Sequence, residues 1–297
     1  MKICLGTVSF GLDYGVKGGR KPSLDDAVAM LESAVFECGI DCFDTAAAYG
    51  QAETVLGTFF ERYPECKDTV SVISKLAPDA FVGNKSTNYP EIMRRNINTS
   101  LLLLNLDQLD GYMLHNAAQA LNPYILESLS KLKELGLVKN VGVSCYLPEE
   151  ARRAAQNLYM DDVQIPFNAI DHRLFEKEFF SNAGSLRIFA RSIFLQGLLL
   201  MDTLPAHMGF AGDVVRKFQE IAQQYNLSYS EACLMFAASI PRIEYIVIGI
   251  ESISELKQNI AALEKPVNNN FINDCKSAFV EVNERILMPN LWSEGAN

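Results

Sequence analysis

Asp41-Cys-Phe-Asp44 runs into Thr45-Ala-Ala-Ala-Tyr49-Gly50, Val70-Ser-Val-Ile-Ser-Lys75 ends on a lysine, and Asp110-Gly-Tyr-Met-Leu-His115 ends on one of only three histidines in the chain. Each is a short apolar run that closes on a side chain able to hold or move a proton. Brought together, an aspartate, a tyrosine, a lysine and a histidine would serve proton transfer to a carbonyl oxygen. A free phenol, with a pKa near ~10, is a poor acid at neutrality. An ammonium at Lys75 would lower the Tyr49 value, and Asp44 would hold and partly balance that lysine. His115 would hydrogen-bond the carbonyl and could join a proton relay. Taken alone, Lys75 also admits a Schiff-base role in an isomerase or lyase.

Residues so far apart in sequence meet only if their strands end on a common rim, which a parallel barrel supplies. Strand-like and helix-like patterns alternate along the chain with little slack. The strand patterns fall at residues 3–7, 40–44, 70–75, 108–114, 138–144, 162–167, 186–190 and 245–248. Helical patterns fall at 23–37, 52–62, 90–104, 123–135, 148–158, 175–182, 213–225, 228–238 and 254–263, with one more after Asn270. Ser23-Leu-Asp-Asp26 reads as a capping box and Gly39 as a helix stop. Eight strand–helix units predict an α/β chain of the (β/α)8 TIM-barrel class, a single domain over 1–297, with extra helices after strand seven and at the C-terminus. No G-x-G-x-x-G follows the first strand, so a doubly wound dinucleotide fold loses its main support. The first strand begins almost at residue 1, and the barrel floor is expected to be closed by side chains alone.

Apolar residues make up 49% of the 297, and no Pro/Gly/Ser-rich linker marks a boundary. A formal net charge of −10 argues against a nucleic-acid partner. The N-terminus lacks a signal-peptide pattern, and the longest apolar runs are too short for a bilayer, so a cytoplasmic protein without a membrane partner is expected. The seven cysteines are odd in number, form no C-x-x-C pair and read as reduced thiols. No metal is expected.

Gly39-Ile-Asp-Cys-Phe-Asp44-Thr-Ala-Ala-Ala-Tyr49-Gly50, Ser74-Lys75, Leu114-His115, Gly136-Leu-Val-Lys-Asn-Val-Gly142-Val-Ser144 and Gln164-Ile-Pro-Phe-Asn168 follow one another along nearly the whole chain. In that order they resemble the aldo/keto reductase superfamily. The resemblance implies hydride transfer from NADP(H) or NAD(H) to a small-molecule carbonyl, with Asp44, Tyr49, Lys75 and His115 as the catalytic set. It implies cofactor contacts at Gly6, Thr7, Asp44, Ser144, Gln164, Arg191, Gly249, Glu251, Ser252, Glu255 and Asn259. Relatives that bind the cofactor and act through a protein partner make a redox-sensing regulatory subunit the alternative.

Three departures from the family pattern bear on the cofactor. Cys145 stands where an asparagine is usual and cannot offer an amide's paired donor and acceptor; no cationic activator for its thiol is evident. Arg191 stands where many relatives stack a tyrosine on the nicotinamide, and it could stack through its guanidinium or meet an acidic substrate. Glu251 and Glu255 stand where relatives selective for the phosphorylated cofactor place Arg, Lys or Gln. Two carboxylates facing the adenosine would repel a 2′-phosphate, unless Glu255 turns back on the backbone in a Ser252…Glu255 capping box. Substrate selection is expected in 195–212 and 287–297, which hold Met201, Met208, Phe210 and Trp292. The run Arg191-Ser-Ile-Phe-Leu-Gln-Gly197 resembles a bacterial branch that accompanies sugar-modifying enzymes, which suggests a sugar-derived carbonyl.

Overall fold

The computed structural model describes residues 1–174 and 179–292. Eight strands, β1 (Lys2–Gly6), β2 (Cys42–Asp44), β3 (Ser71–Leu76), β4 (Leu109–Leu114), β5 (Val138–Ser144), β6 (Asp162–Pro166), β7 (Arg187–Arg191) and β8 (Tyr245–Ile248), pair in parallel and in sequence order. The barrel closes where Ile3 and Cys4 of β1 register with Ile246 and Val247 of β8. Each parallel return needs a crossover, and helices supply it. They are α1 (Val8–Gly11), α2 (Leu24–Phe36), α3 (Ala52–Arg62), α4 (Tyr89–Leu104), α5 (Pro123–Glu134), α6 (Pro148–Ala155), α7 (Phe179–Asn182), α8 (Gly212–Gln224), α9 (Tyr229–Ala238) and α10 (Ile253–Leu263). Two helices, α8 and α9, follow β7, and α11 (Asn269–Ala278) and α12 (Glu284–Leu287) extend the C-terminus.

Local chemistry explains most boundaries. Ser23 caps α2 by accepting the Asp26 N–H, but Asp26 answers the Ser23 hydroxyl instead of its backbone, since an aspartate is one methylene too short for the reciprocal bond. The complete box forms at α9, where Glu231 accepts the Ser228 N–H at 2.8 Å. The pattern at 148–158 stops at Ala155. Of the expected helix 175–182, Phe179–Asn182 is helical and 175–178 lies outside the described residues, as does the end of the tail from 293. No helix among the described residues is long and apolar enough to cross a membrane.

Inside the barrel, alternate residues of each strand stack in layers. At the floor, Arg187 bridges Asp162 at 2.7 and 2.8 Å and Asp110 at 2.8 Å. Gly142 makes room for this group, because a Cβ there would lie 2.4 Å from the Asp162 carbonyl oxygen. Above it Cys4, Cys42, Ile73, Met113, Phe189 and Tyr245 form an apolar layer in which the Phe189 and Tyr245 rings stack at 4.8 Å. Side chains thus fill the bottom of the barrel. The next layer up is polar, and it is the base of the site.

Candidate active site

Asp44 and Lys75 end neighbouring strands, two residues above the Cys42/Ile73 layer, so both point inward. The Lys75 ammonium is fully buried and donates to both Asp44 oxygens at 2.7 and 2.8 Å and to the Thr45 carbonyl at 2.9 Å. Burial alone would lower the Lys75 pKa, but the Asp44 and Tyr49 charges and hydrogen bonds outweigh it and leave it raised. An ammonium so held is a fixed charge and not a nucleophile, which overturns the Schiff-base expectation. Gln164 donates to Asp44 at 2.6 Å and accepts from Ser144 at 3.3 Å, so both neighbours help to orient the carboxylate.

Tyr49 is carried by the turn between β2 and α3, which is tied back by Thr45 N–H to Ile73 and Ala47 N–H to Lys75. This turn packs on α1 only because Gly11 has no side chain, since a Cβ there would fall 1.7 Å from the Tyr49 carbonyl oxygen. The Tyr49 ring meets the His115 ring edge-on, centroids 5.7 Å apart, with the Lys75 nitrogen 5.0 Å from the Tyr49 centroid. Tyr49, Lys75, Asp44 and His115 therefore come together as their strand-end positions suggested.

Two electrostatic expectations need correction. Burial raises the Tyr49 pKa, and the lowering by Lys75 and Arg191 does not overcome it, because desolvation of a phenolate outweighs the attraction of an ammonium already matched by Asp44. The His115 value falls to about 3, first through burial and then through the Lys75 and Arg191 charges. Its imidazole is neutral over the working range, a hydrogen-bond donor and not an acidic relay. Cys145 is buried, and burial pushes its thiol up despite the nearby Arg191 charge, so it is unreactive.

These groups open into a cavity of about 420 Å³. Gly6, Thr7, Asp44, Tyr49, His115, Ser144, Gln164, Arg191, Gly249, Glu251 and Glu255 line it; Ser252 and Asn259 do not. Asn259 is buried one turn beyond Glu255, and its side-chain amide nitrogen has no partner. Ser252 caps α10 by accepting the Glu255 N–H at 3.2 Å, while Glu255 accepts the Glu251 N–H at 2.8 Å. The Arg191 guanidinium lies over the Tyr146 ring, 4.3 Å from its centroid, and donates to the Cys145 carbonyl and the Ser192 hydroxyl.

Ser9, Tyr14, Tyr146, Gln196 and Asn290 also line the cavity and were not singled out by spacing. Tyr146 follows the end of β5 by two residues, a strand-end signal that would have found it. The loop after β1 is tied to the loop after β7 by the Val16 N–H on the Gln196 carbonyl at 3.1 Å, and Ser192, Leu195 and Gln196 hold left-handed backbone there. Of the side chains expected to select substrate, Met208 is buried in the core, Phe210 packs under Arg285, and Trp292 donates to the Arg285 carbonyl. Phe194, Leu200, Pro289 and Asn290 face the cavity in their place.

The profile of the aldo/keto reductase family matches residues 2–279. The chain belongs to this family. It is an NAD(P)H-dependent oxidoreductase of the carbonyl-reducing class, and among the described residues no group of three or more His, Cys, Asp or Glu could hold a metal. An uncharacterized oxidoreductase of Bacillus subtilis is 22% identical over 250 residues, 80% of this chain and 81% of that one. The NADH-specific methylglyoxal reductase of Escherichia coli is 23% identical over 309 residues, 88% of this chain and 93% of that one. In fold, the holo form of an aldo-keto reductase from Bacillus halodurans aligns with a TM-score of 0.78 at 19% identity, covering 97% of this chain and 95% of that one.

Proposed function

We propose that this aldo/keto reductase reduces a small aldehyde or ketone with Tyr49 as the proton donor, and that it prefers NADH. The convergence of Tyr49 and His115 at one end of the cavity, backed by the buried Lys75–Asp44 pair, carries the first part. The nicotinamide, when bound, supplies hydride to the carbonyl carbon. Negative charge then grows on the oxygen. Tyr49, kept protonated by burial, gives that oxygen its proton, and the Lys75 charge stabilises the phenolate left behind. Neutral His115 offers an N–H to the same oxygen, while Gln164 and Thr7 hold Asp44 in place through its side chain and carbonyl. Ser144 and Gln164 would hold the nicotinamide end, with Gly6 and Thr7 along the groove and Gly249, Glu251, Ser252, Glu255 and Asn259 toward the adenosine.

The NADH preference rests on the start of α10. Its N-terminal amides are of the kind that bind phosphate, yet Ser252 and Glu255 already accept from those of Glu255 and Glu251. Because Glu255 is turned back onto the Glu251 N–H, the opposition to a 2′-phosphate comes first from the Glu251 carboxylate lining the cavity, to which a 2′-hydroxyl can donate. The test is steady oxidation of NADH and NADPH with a panel of aldehydes, alongside Tyr49→Phe. Loss of turnover by ~10²–10⁴ with NADH binding retained is expected. Activity within a few-fold of wild type would reject Tyr49 as the acid, and cofactor binding without turnover of any carbonyl would favour the regulatory alternative.

A further inference from the structure

Among the described residues that line this cavity, Arg191 is the cation, and it has no ion-pair partner. Lys75, the other cation at the Tyr49 end, is balanced by Asp44 at 2.7 Å. The half-buried Arg173 has Asp171 and Glu284 within ion-pair distance, and Arg187 has Asp162 and Asp110. Arg191 is also half-buried, yet among the described residues no carboxylate lies within 4.0 Å of it. Scarcity of acids does not explain this, since the chain has 36 Asp and Glu against 26 Lys and Arg. Its two hydrogen bonds go to neutral oxygens, of Cys145 and Ser192, which use two of the five guanidinium N–H groups. The Tyr146 ring beneath it supplies a quadrupole and no counter-charge. A partly desolvated cation is costly unless paired. Here the residue lines the cavity that holds Tyr49 and His115.

We propose that the substrate carries an anionic oxygen group besides its carbonyl, and that Arg191 binds this group and sets specificity. The inference rests on the carbonyl-reductase reading and names its substrate class. A planar fork suits a carboxylate or a phosphate ester, with both oxygens engaged at once. Part of the remaining lining suits hydroxyl groups on the substrate, beside the apolar Phe194 and Leu200. The hydroxyl of Ser9 is buried without a partner, and Tyr14, Tyr146, Gln196 and Asn290 add hydrogen-bonding groups. The competing occupant is the cofactor's own diphosphate, and the experiment must separate the two.

Matched pairs do this: succinate semialdehyde against butanal for the carboxylate, and glyceraldehyde 3-phosphate against glyceraldehyde for the phosphate. With cofactor saturating, wild type should favour at least one anionic member by about tenfold or more in kcat/KM, mainly through KM. The pair that shows it identifies the anion. Arg191→Gln should bring that ratio near one, and Arg191→Lys should keep part of it, since charge survives without the fork. Equal kcat/KM within both pairs in wild type would overturn the proposal. So would a variant that keeps the ratio while its NADH affinity, read by fluorescence titration, falls tenfold, because the guanidinium would then serve the cofactor. Calorimetric binding of succinate against succinamide to the NADH-loaded protein gives the same comparison without turnover. If no carbonyl is reduced, the reductase reading fails, yet succinate binding that Arg191→Gln abolishes would still support the anion site; absent or equal binding would overturn it.

Discussion

Replacing Lys75 with methionine separates what the buried pair does for the fold from what it does for chemistry. The ammonium has no solvent exposure, and its loss strands the Asp44 carboxylate, which would keep only the Gln164 amide at 2.6 Å. Breaking a buried ion pair from one side costs about 3–5 kcal/mol, because the remaining charge has lost its partner and cannot reach water. Asp44→Asn strands the ammonium and should cost a similar amount. The double variant leaves two neutral groups and should be less destabilised than the sum, with about 2–3 kcal/mol of coupling. Urea unfolding of the four proteins measures this directly. The pH dependence has a definite sign. The folded Lys75 pKa is raised, so its stabilisation is complete below the ordinary lysine value of 10.5 and is lost only as pH climbs through the folded value. The gap between wild type and Lys75→Met should thus be flat from pH 6 to 9. A single variant within 1 kcal/mol of wild type, or coupling near zero, would refute the buried pair as a support of the rim.

The floor makes a parallel prediction: Arg187→Met leaves Asp110 and Asp162 facing each other and should cost about 3–5 kcal/mol, measured by urea unfolding. Asp162 is raised to about 6, chiefly by burial, so the folded protein gives up stability as pH rises from about 4 through 6. Asp162→Asn should accordingly gain on wild type across that interval, and a constant difference would count against the assignment. For the cofactor, kcat/KM with NADH should exceed that with NADPH, and Glu251→Arg with Glu255→Arg should shift the ratio toward NADPH; a strong wild-type NADPH preference that the substitutions leave unchanged would show that neither carboxylate faces the 2′ position. Because His115 titrates at about 3, the pH profile of kcat/KM should carry no inflection between 6 and 7 that His115→Asn removes.

Much of this molecule was legible in its sequence because the signals are local. A strand buried on both faces and a helix with one apolar stripe each write their period into a few neighbouring residues, and eight alternations of the two admit few folds. The same locality puts Asp44, Lys75 and His115 at strand ends and Tyr49 in the turn after β2, which is why the candidate set that the structure brings together could be picked out from spacing. Closure of the barrel decided the rest. It brought Arg187 onto Asp110, 77 positions away, and Gln164 onto Asp44, 120 away, pairings no local pattern contains. It turned Glu255 toward the Glu251 amide and laid Arg191 on Tyr146, choices among rotamers that only packed neighbours make. It also reversed the expected direction of the Tyr49 pKa. The kind of charge near a phenol can be read from residue types, but how much water is removed from around it is a property of the assembled rim, and desolvation outweighs the charge.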